Sequence, residues 1–136
     1  MSQVDDILEE FSDDVSNFIS TDVVDIESGM SMGGYSIDPE FDGSVASAAF
    51  SEVVQSYKRA FDMLDMNPES LQDILGTADD VLVVTRLIGD RTFYHGLAIG
   101  KEGNLALARK TMEKYEDRIV DAVGILPKCA ARGHGS

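Results

Sequence analysis

Three groups of residues in this chain have types and spacings from which chemistry could be built. The first is GLAIGKEG at residues 96–103, which has the glycines of a phosphate-binding loop. That loop needs G-x-x-x-x-G-K-[ST] between a strand and a helix, so that backbone N–H groups cradle phosphate while Lys and a hydroxyl complete the site. Here Lys101 is out of place and no Ser or Thr follows it. Gly100 and Gly103 read instead as a turn before a helix N-terminus capped by Asn104. The second group centres on His95, between Tyr94 and Gly96. No G-x-S-x-G elbow accompanies it, and the other histidine, His134, falls in a C-terminal tail, so a hydrogen-bonded structural histidine is expected. The third is Asp22, Asp25 and Glu27, close enough in sequence to suggest a metal site. Strand alternation sets Asp22 opposite the other two, and no His or Cys completes a ligand set, so these read as solvated edge charges. No catalytic, cofactor-binding or metal-binding residue is assigned. The expectation is a protein that is not an enzyme, needs no cofactor and does not bind nucleotide by itself.

Charge narrows the partners. The 136 residues carry a formal net charge of -14, and no Lys or Arg precedes Lys58. Asp5, Asp6, Glu9, Glu10, Asp13 and Asp14 crowd the first helical stretch. Nucleic acid and anionic lipid both require a basic footprint and are disfavoured. A basic patch on another protein is the electrostatic complement, and the same acidity also serves solubility. No apolar run approaches the roughly 18 residues of a membrane span, and the acidic N-terminus is the reverse of a secretion signal. With a single cysteine, Cys129, unable to form an internal disulfide, a cytoplasmic location is expected.

The elements that must position these residues follow from periodicity. Val4, Leu8, Phe11, Val15 and Phe18 recur at helical spacing and predict a helix over 3–19, with Ser2 as N-cap. Strands are expected over 22–28 and 31–38, with Ser28-Gly29 as their turn. Asp42 or Ser44 can cap a second helix running to about Leu64. Val45, Ala49, Val53, Ala60 and Leu64 form one apolar stripe on it, widened by Ala46, Phe50, Tyr57 and Phe61. That arc exceeds what one sheet face requires, so a second partner surface is expected, made of Ala46, Ala49, Phe50, Val53, Tyr57, Ala60 and Leu64. After Asn67-Pro68, three runs over 71–78, 80–88 and 91–99 read as an antiparallel meander. VLVVTRLI at 81–88 is apolar at odd and even positions, so both sheet faces should be covered. Gly34, Gly96 and Ala98 suggest close helix–sheet packing. A last helix from Leu105 should fade at Gly124, with Pro127 closing the folded part. The domain is therefore expected at 1–124 and a flexible tail at 125–136.

This order, α-β-β-α-β-β-β-α, together with the hairpin TDVVDIESGMSMGGY, the helix SVASAAFSEVVQSYKRAF and the segment LVVTRLIGDRTFYHGLAIGKEGNLALAR, resembles the Roadblock/dynein light chain family. The resemblance covers residues 3–123 and implies a profilin-like α/β fold, a five-stranded antiparallel sheet with helices on both faces. It implies a non-catalytic homodimer in which the middle helix and an edge strand meet their counterparts in a second subunit. Family members sit on motors and small Ras-like GTPases or other NTPase-linked complexes, and some bacterial members stimulate a gliding-polarity GTPase. The resemblance therefore leaves four roles open: an adaptor, a GTPase-activating partner, a motor light-chain scaffold and a small-molecule sensor. Arg86 and Arg91, beside the Gly89-Asp90 turn, could in principle neutralise charge in a GTPase transition state. The bacterial members act mainly by repositioning the GTPase's own residues, so both arginines read as solvated hairpin charges.

Overall fold

Helix α1, Gln3–Asp13, buries Val4, Ile7, Leu8 and Phe11, as their spacing requires. The computed structural model describes residues 3–132, so the expected Ser2 cap lies outside the described residues. α1 ends six residues short of the expected position. Asn17 adopts a left-handed φ of 57°, which turns the chain out of the helix and lets Phe18 open strand β1, Phe18–Asp25. Val15 and Phe18 still enter the same core as α1, which is why their spacing imitated a longer helix.

β1 returns as β2, Met30–Ser36, through a turn closed by Gly29 N–H donating to the Asp25 carbonyl at 2.7 Å. Gly29 has φ of 73°, and a Cβ there would lie 3.1 Å from the Ala48 backbone, so both conformation and space demand glycine. A 3-10 turn, Gly43–Ala46, with Asp42 as its cap, precedes helix α2, Ser47–Met63. The meander is β3, Asp73–Thr77, β4, Val81–Ile88, and β5, Phe93–Gly100. Helix α3 then begins at Leu105, with Asn104 Oδ1 accepting from Leu107 N–H at 3.0 Å as its cap.

The five strands form one antiparallel sheet in the order β2-β1-β5-β4-β3. The observed element order is the α-β-β-α-β-β-β-α expected from the sequence. α1 and α3 cover one face, where Leu8, Phe11, Val23, Val84, Leu97, Met112 and Ile119 form the main core. α2 covers the other, over Val24, Ile26, Leu87 and Tyr94. β4 sends Val84 and Ile88 to the first core and Leu87 to the second, the two-sided burial its sequence predicts.

The expected end at Gly124 is corrected, because α3 spans Leu105–Arg132 and passes both Gly124 and Pro127. A glycine within a helix costs only about 1 kcal/mol relative to alanine, which a long helix tolerates, so Gly124 does not stop α3. Residues 133–136, including His134, lie outside the described residues, as does the side chain of Cys129.

A candidate partner-binding face on helix α2

α2 docks on the sheet through two small polar residues and an apolar patch of Val54, Phe50 and Phe61. Ser47, Ser51 and Val54 are its buried positions. Ser47 Oγ donates to the Gly29 carbonyl at 2.8 Å, and Ser51 Oγ donates to the Ser47 carbonyl at 2.9 Å. Lys58 and Gln55 anchor the same side by donating to the carbonyls of Arg91 and Ile26. These serines satisfy their own hydroxyls on backbone oxygens, so they are buried without an unpaired group.

The rest of the apolar surface of α2 faces away from the sheet. Ala49, Val53, Tyr57, Ala60 and Leu64 fall at spacings of three and four along one side. Val53 is 41%, Tyr57 45% and Leu64 69% exposed, and Ala49 and Ala60 are exposed as well. Ala46 lies in the 3-10 turn and is half-buried. Phe50 is half-buried and packs against the Val24–Tyr94 core while still reaching the outer side. Next to this stripe runs β3, an edge strand of five residues whose Leu75 is also exposed. Phe50, Val53 and Tyr57 on the helix and Ile74 and Leu75 on the strand line a shared groove of about 240 Å³.

The residues weighed for chemistry fall elsewhere. His95 is fully buried under α1, edge-on to Phe11 at 4.7 Å between ring centroids. Thr21 Oγ1 donates to the Gly96 carbonyl at 2.7 Å and so accepts from His95 Nε2–H at 2.8 Å, which leaves Nδ1 unprotonated. Burial, with the Arg86 charge beside it, pushes the His95 pKa down to about 3. It is a structural histidine, as expected. Arg86 is not a solvated hairpin charge. It lies on the α1/α3 side, part-buried, and pairs with Glu116 of α3 at 2.9 Å. Arg91 sits at φ of 72° and donates from Nε to the Glu69 carbonyl. Both guanidiniums are engaged within the fold.

Asp22 also departs from the solvated edge charge expected of it. β1 is flanked by β2 and β5, so Asp22 lies inside the sheet, and its carboxyl group is held against Gly43 and Gly96. Burial and the neighbouring Asp42 raise its pKa to about 6. A Cβ at Gly96 would overlap its Oδ1, so that glycine makes room for a carboxylate and not, as expected, for a helix. Asp25 closes the β1–β2 turn by accepting from Glu27 N–H and Ser28 Oγ.

No family model matches the sequence, and no curated protein matches it at a significant level. Solved structures do match. MglB of Myxococcus xanthus is 12% identical over 90% of this chain and 89% of that one, with a TM-score of 0.78. A Roadblock/LC7 domain from Streptomyces avermitilis is 14% identical over 88% and 96%, with a TM-score of 0.76. MglC of Myxococcus xanthus is 19% identical over 84% and 93%, with a TM-score of 0.56. At these identities the likeness is one of fold. The chain has the Roadblock/LC7 fold, as the hairpin, the small-residue helix and the element order implied.

Proposed function

We propose that this protein is a non-catalytic homodimeric adaptor that binds a small Ras-like GTPase or an NTPase-linked protein complex through a surface built from two subunits. The observation that carries the reading is the outer side of α2, where Ala49, Val53, Tyr57, Ala60 and Leu64 face away from the sheet beside an unpaired strand edge, while Ser47, Ser51 and Val54 dock the helix on its own sheet. An apolar stripe of that length on a soluble chain calls for a cover, and a second copy placed about a two-fold axis supplies one of matching chemistry. Pairing of β3 edges would also protect the strand that carries Leu75. Likeness of fold to MglB, MglC and a Roadblock/LC7 domain supports the same reading, because the family that the sequence resembles sits on motors and GTPases.

The mechanism follows from rigidity. A helix pair over a continuous sheet gives one fixed face, and a partner whose switch segments are ordered in only one nucleotide state meets it differently in each. With Arg86 and Arg91 engaged inside the fold, an arginine supplied in trans is disfavoured as the means of action. Among the described residues no helix is long and apolar enough to cross a membrane.

Sedimentation velocity at micromolar concentration tests the dimer, and a monomer of the parent chain overturns it. Surface plasmon resonance against a small Ras-like GTPase in its GDP and GTP-analogue states tests the partner. Multiple-turnover hydrolysis with and without this protein separates an adaptor from an activating partner.

A further inference from the structure

The outer side of α2 carries a pattern finer than an apolar stripe. Ala49, Val53, Ser56, Ala60 and Met63 follow one another at spacings of four and three, the seam of a helix that packs lengthwise on another helix, and all of them are exposed. Phe50, Tyr57 and Leu64 recur every seven residues along one flank of that seam, and Glu52 and Arg59, also seven apart, run along the other. The first flank adjoins β3, because Phe50 and Tyr57 share a groove with Ile74 and Leu75. The charged flank therefore looks away from the strand edge, and both its members are exposed.

Arg59 is turned toward the seam. Its Nη2 donates to Ser56 Oγ at 2.8 Å, which holds the guanidinium on the outer side of the helix. Glu52 stands seven residues before it, and that separation spans about 10.5 Å along the axis, too far for the two charges to meet within one helix. One flank of α2 thus carries an acid at one end and a base at the other, an arrangement complementary to its own reverse.

A two-fold axis across the helix sets two copies of α2 antiparallel, and each flank then meets the same flank of the other copy. With the axis beside Gln55 and Ser56, Glu52 of each copy faces Arg59 of the other. The seam then sets Ala49 against Ala60 and Val53 against Ser56, layers of small side chains that let the two helices approach. A slip of one heptad in one direction would set Glu52 against Glu52, and in the other direction Arg59 against Arg59, so repulsion opposes both. Exposed pairs of this kind add little raw affinity, but flanking charges decide orientation and partner. Resting on the homodimer reading, we propose that α2 pairs antiparallel with α2 of a second copy in this register, and that Glu52 and Arg59 fix the register and select a copy of the same chain as the partner.

Sedimentation equilibrium at low salt tests this with Glu52→Arg and Arg59→Glu made singly, made together, and mixed as the two single variants. Each single variant sets like charges opposite each other at both contacts and should self-associate at least tenfold more weakly than the parent. Glu52→Arg also makes the chain less acidic, so relief of general repulsion would act in the opposite sense. The double variant and the equimolar mixture of single variants restore opposite charges at both contacts. Both should associate as tightly as the parent, the mixture as heterodimers by native mass spectrometry. Single variants that associate like the parent would overturn the register, and so would a mixture that stays as weak as its components. A parent chain that is monomeric at micromolar concentration would overturn the homodimer reading itself, a result distinct from either of those.

Discussion

At the scale of single residues, two groups set opposing dependences on pH. Asp22 has a folded-state pKa raised from 3.8 to about 6, so the folded chain binds the proton more tightly than the unfolded chain. Its ionisation therefore costs stability as pH rises from 3.8 to 6, and that cost is complete at neutral pH. Asp22→Asn should stabilise the protein by about 1–3 kcal/mol at pH 7, and the gain should vanish near pH 4. Urea denaturation of both proteins at the two pH values measures the difference. His95 runs the other way, with a pKa lowered from 6.5 to about 3. The stability it contributes is intact above pH 6.5 and lost as pH falls toward 3, at up to about 1.4 kcal/mol per pH unit. Its ring resonances should show no titration between pH 8 and 4.5. A midpoint near 6.5 would mean that the ring is hydrated and the Thr21 bond is not made. The structural role of His95 was legible in the sequence because a lone histidine in a strand has few other uses. Asp22 was not legible, because its burial comes from the 3-10 turn at Gly43–Ala46 and from Gly96, neither adjacent to it in sequence.

At the scale of elements, α2 shows what a pattern can and cannot say. The stripe from Ala49 to Leu64 was visible from its spacing, as was the need for two covers. Which face turned inward was not, because Ser47 and Ser51 look solvent-facing until the carbonyls of Gly29 and Ser47 are seen to accept from their hydroxyls. Substitutions on the two sides should separate cleanly. Val54, fully buried, should cost about 2 kcal/mol of fold stability when changed to Ala, since it loses apolar contacts and leaves a void. Ala49→Glu on the outer face should leave monomer stability within about 0.5 kcal/mol and weaken self-association by at least tenfold, because it would place a charge in a desolvated contact. Chemical denaturation reads the first and sedimentation equilibrium the second. If Ala49→Glu unfolds the chain, the stripe belongs to the monomer's own core. Boundaries erred where two periods agreed by chance. Val15 and Phe18 continue the helical spacing of α1 and also enter the sheet's core, so only the left-handed Asn17 decides where the helix stops.

At the scale of the whole molecule, the charge of -14 is not one undifferentiated field. Part of it is spent on internal contacts. Asp5 Oδ1 accepts from Gly34 N–H at 2.8 Å and so covers a donor on the outer edge of β2. Glu10 is bound through both oxygens by Arg118 of α3, and Asp14 accepts from Tyr115 at 2.6 Å. The sequence, which shows only a run of acids before Lys58, gives no sign of this division. Asp6, Glu9 and Asp13 remain as exposed charges on the outer side of α1. If the chain meets a basic partner face, these three should steer the encounter. Exposed charges act over a Debye length of about 10 Å at 0.1 M salt, so the association rate should fall as salt rises. Replacing Asp6, Glu9 and Asp13 by Asn, Gln and Asn should lower the on-rate three- to tenfold at low salt and leave any self-association and the off-rate unchanged. Changing Asp5 and Glu10 in the same way should instead lower fold stability, by removing a backbone cap and a bidentate ion pair. Surface plasmon resonance across a salt series, with thermal denaturation of both variants, measures the two effects. An on-rate indifferent to salt and to the triple substitution would mean that the outer acids serve solubility alone and that the partner is recognised by shape and apolar contact.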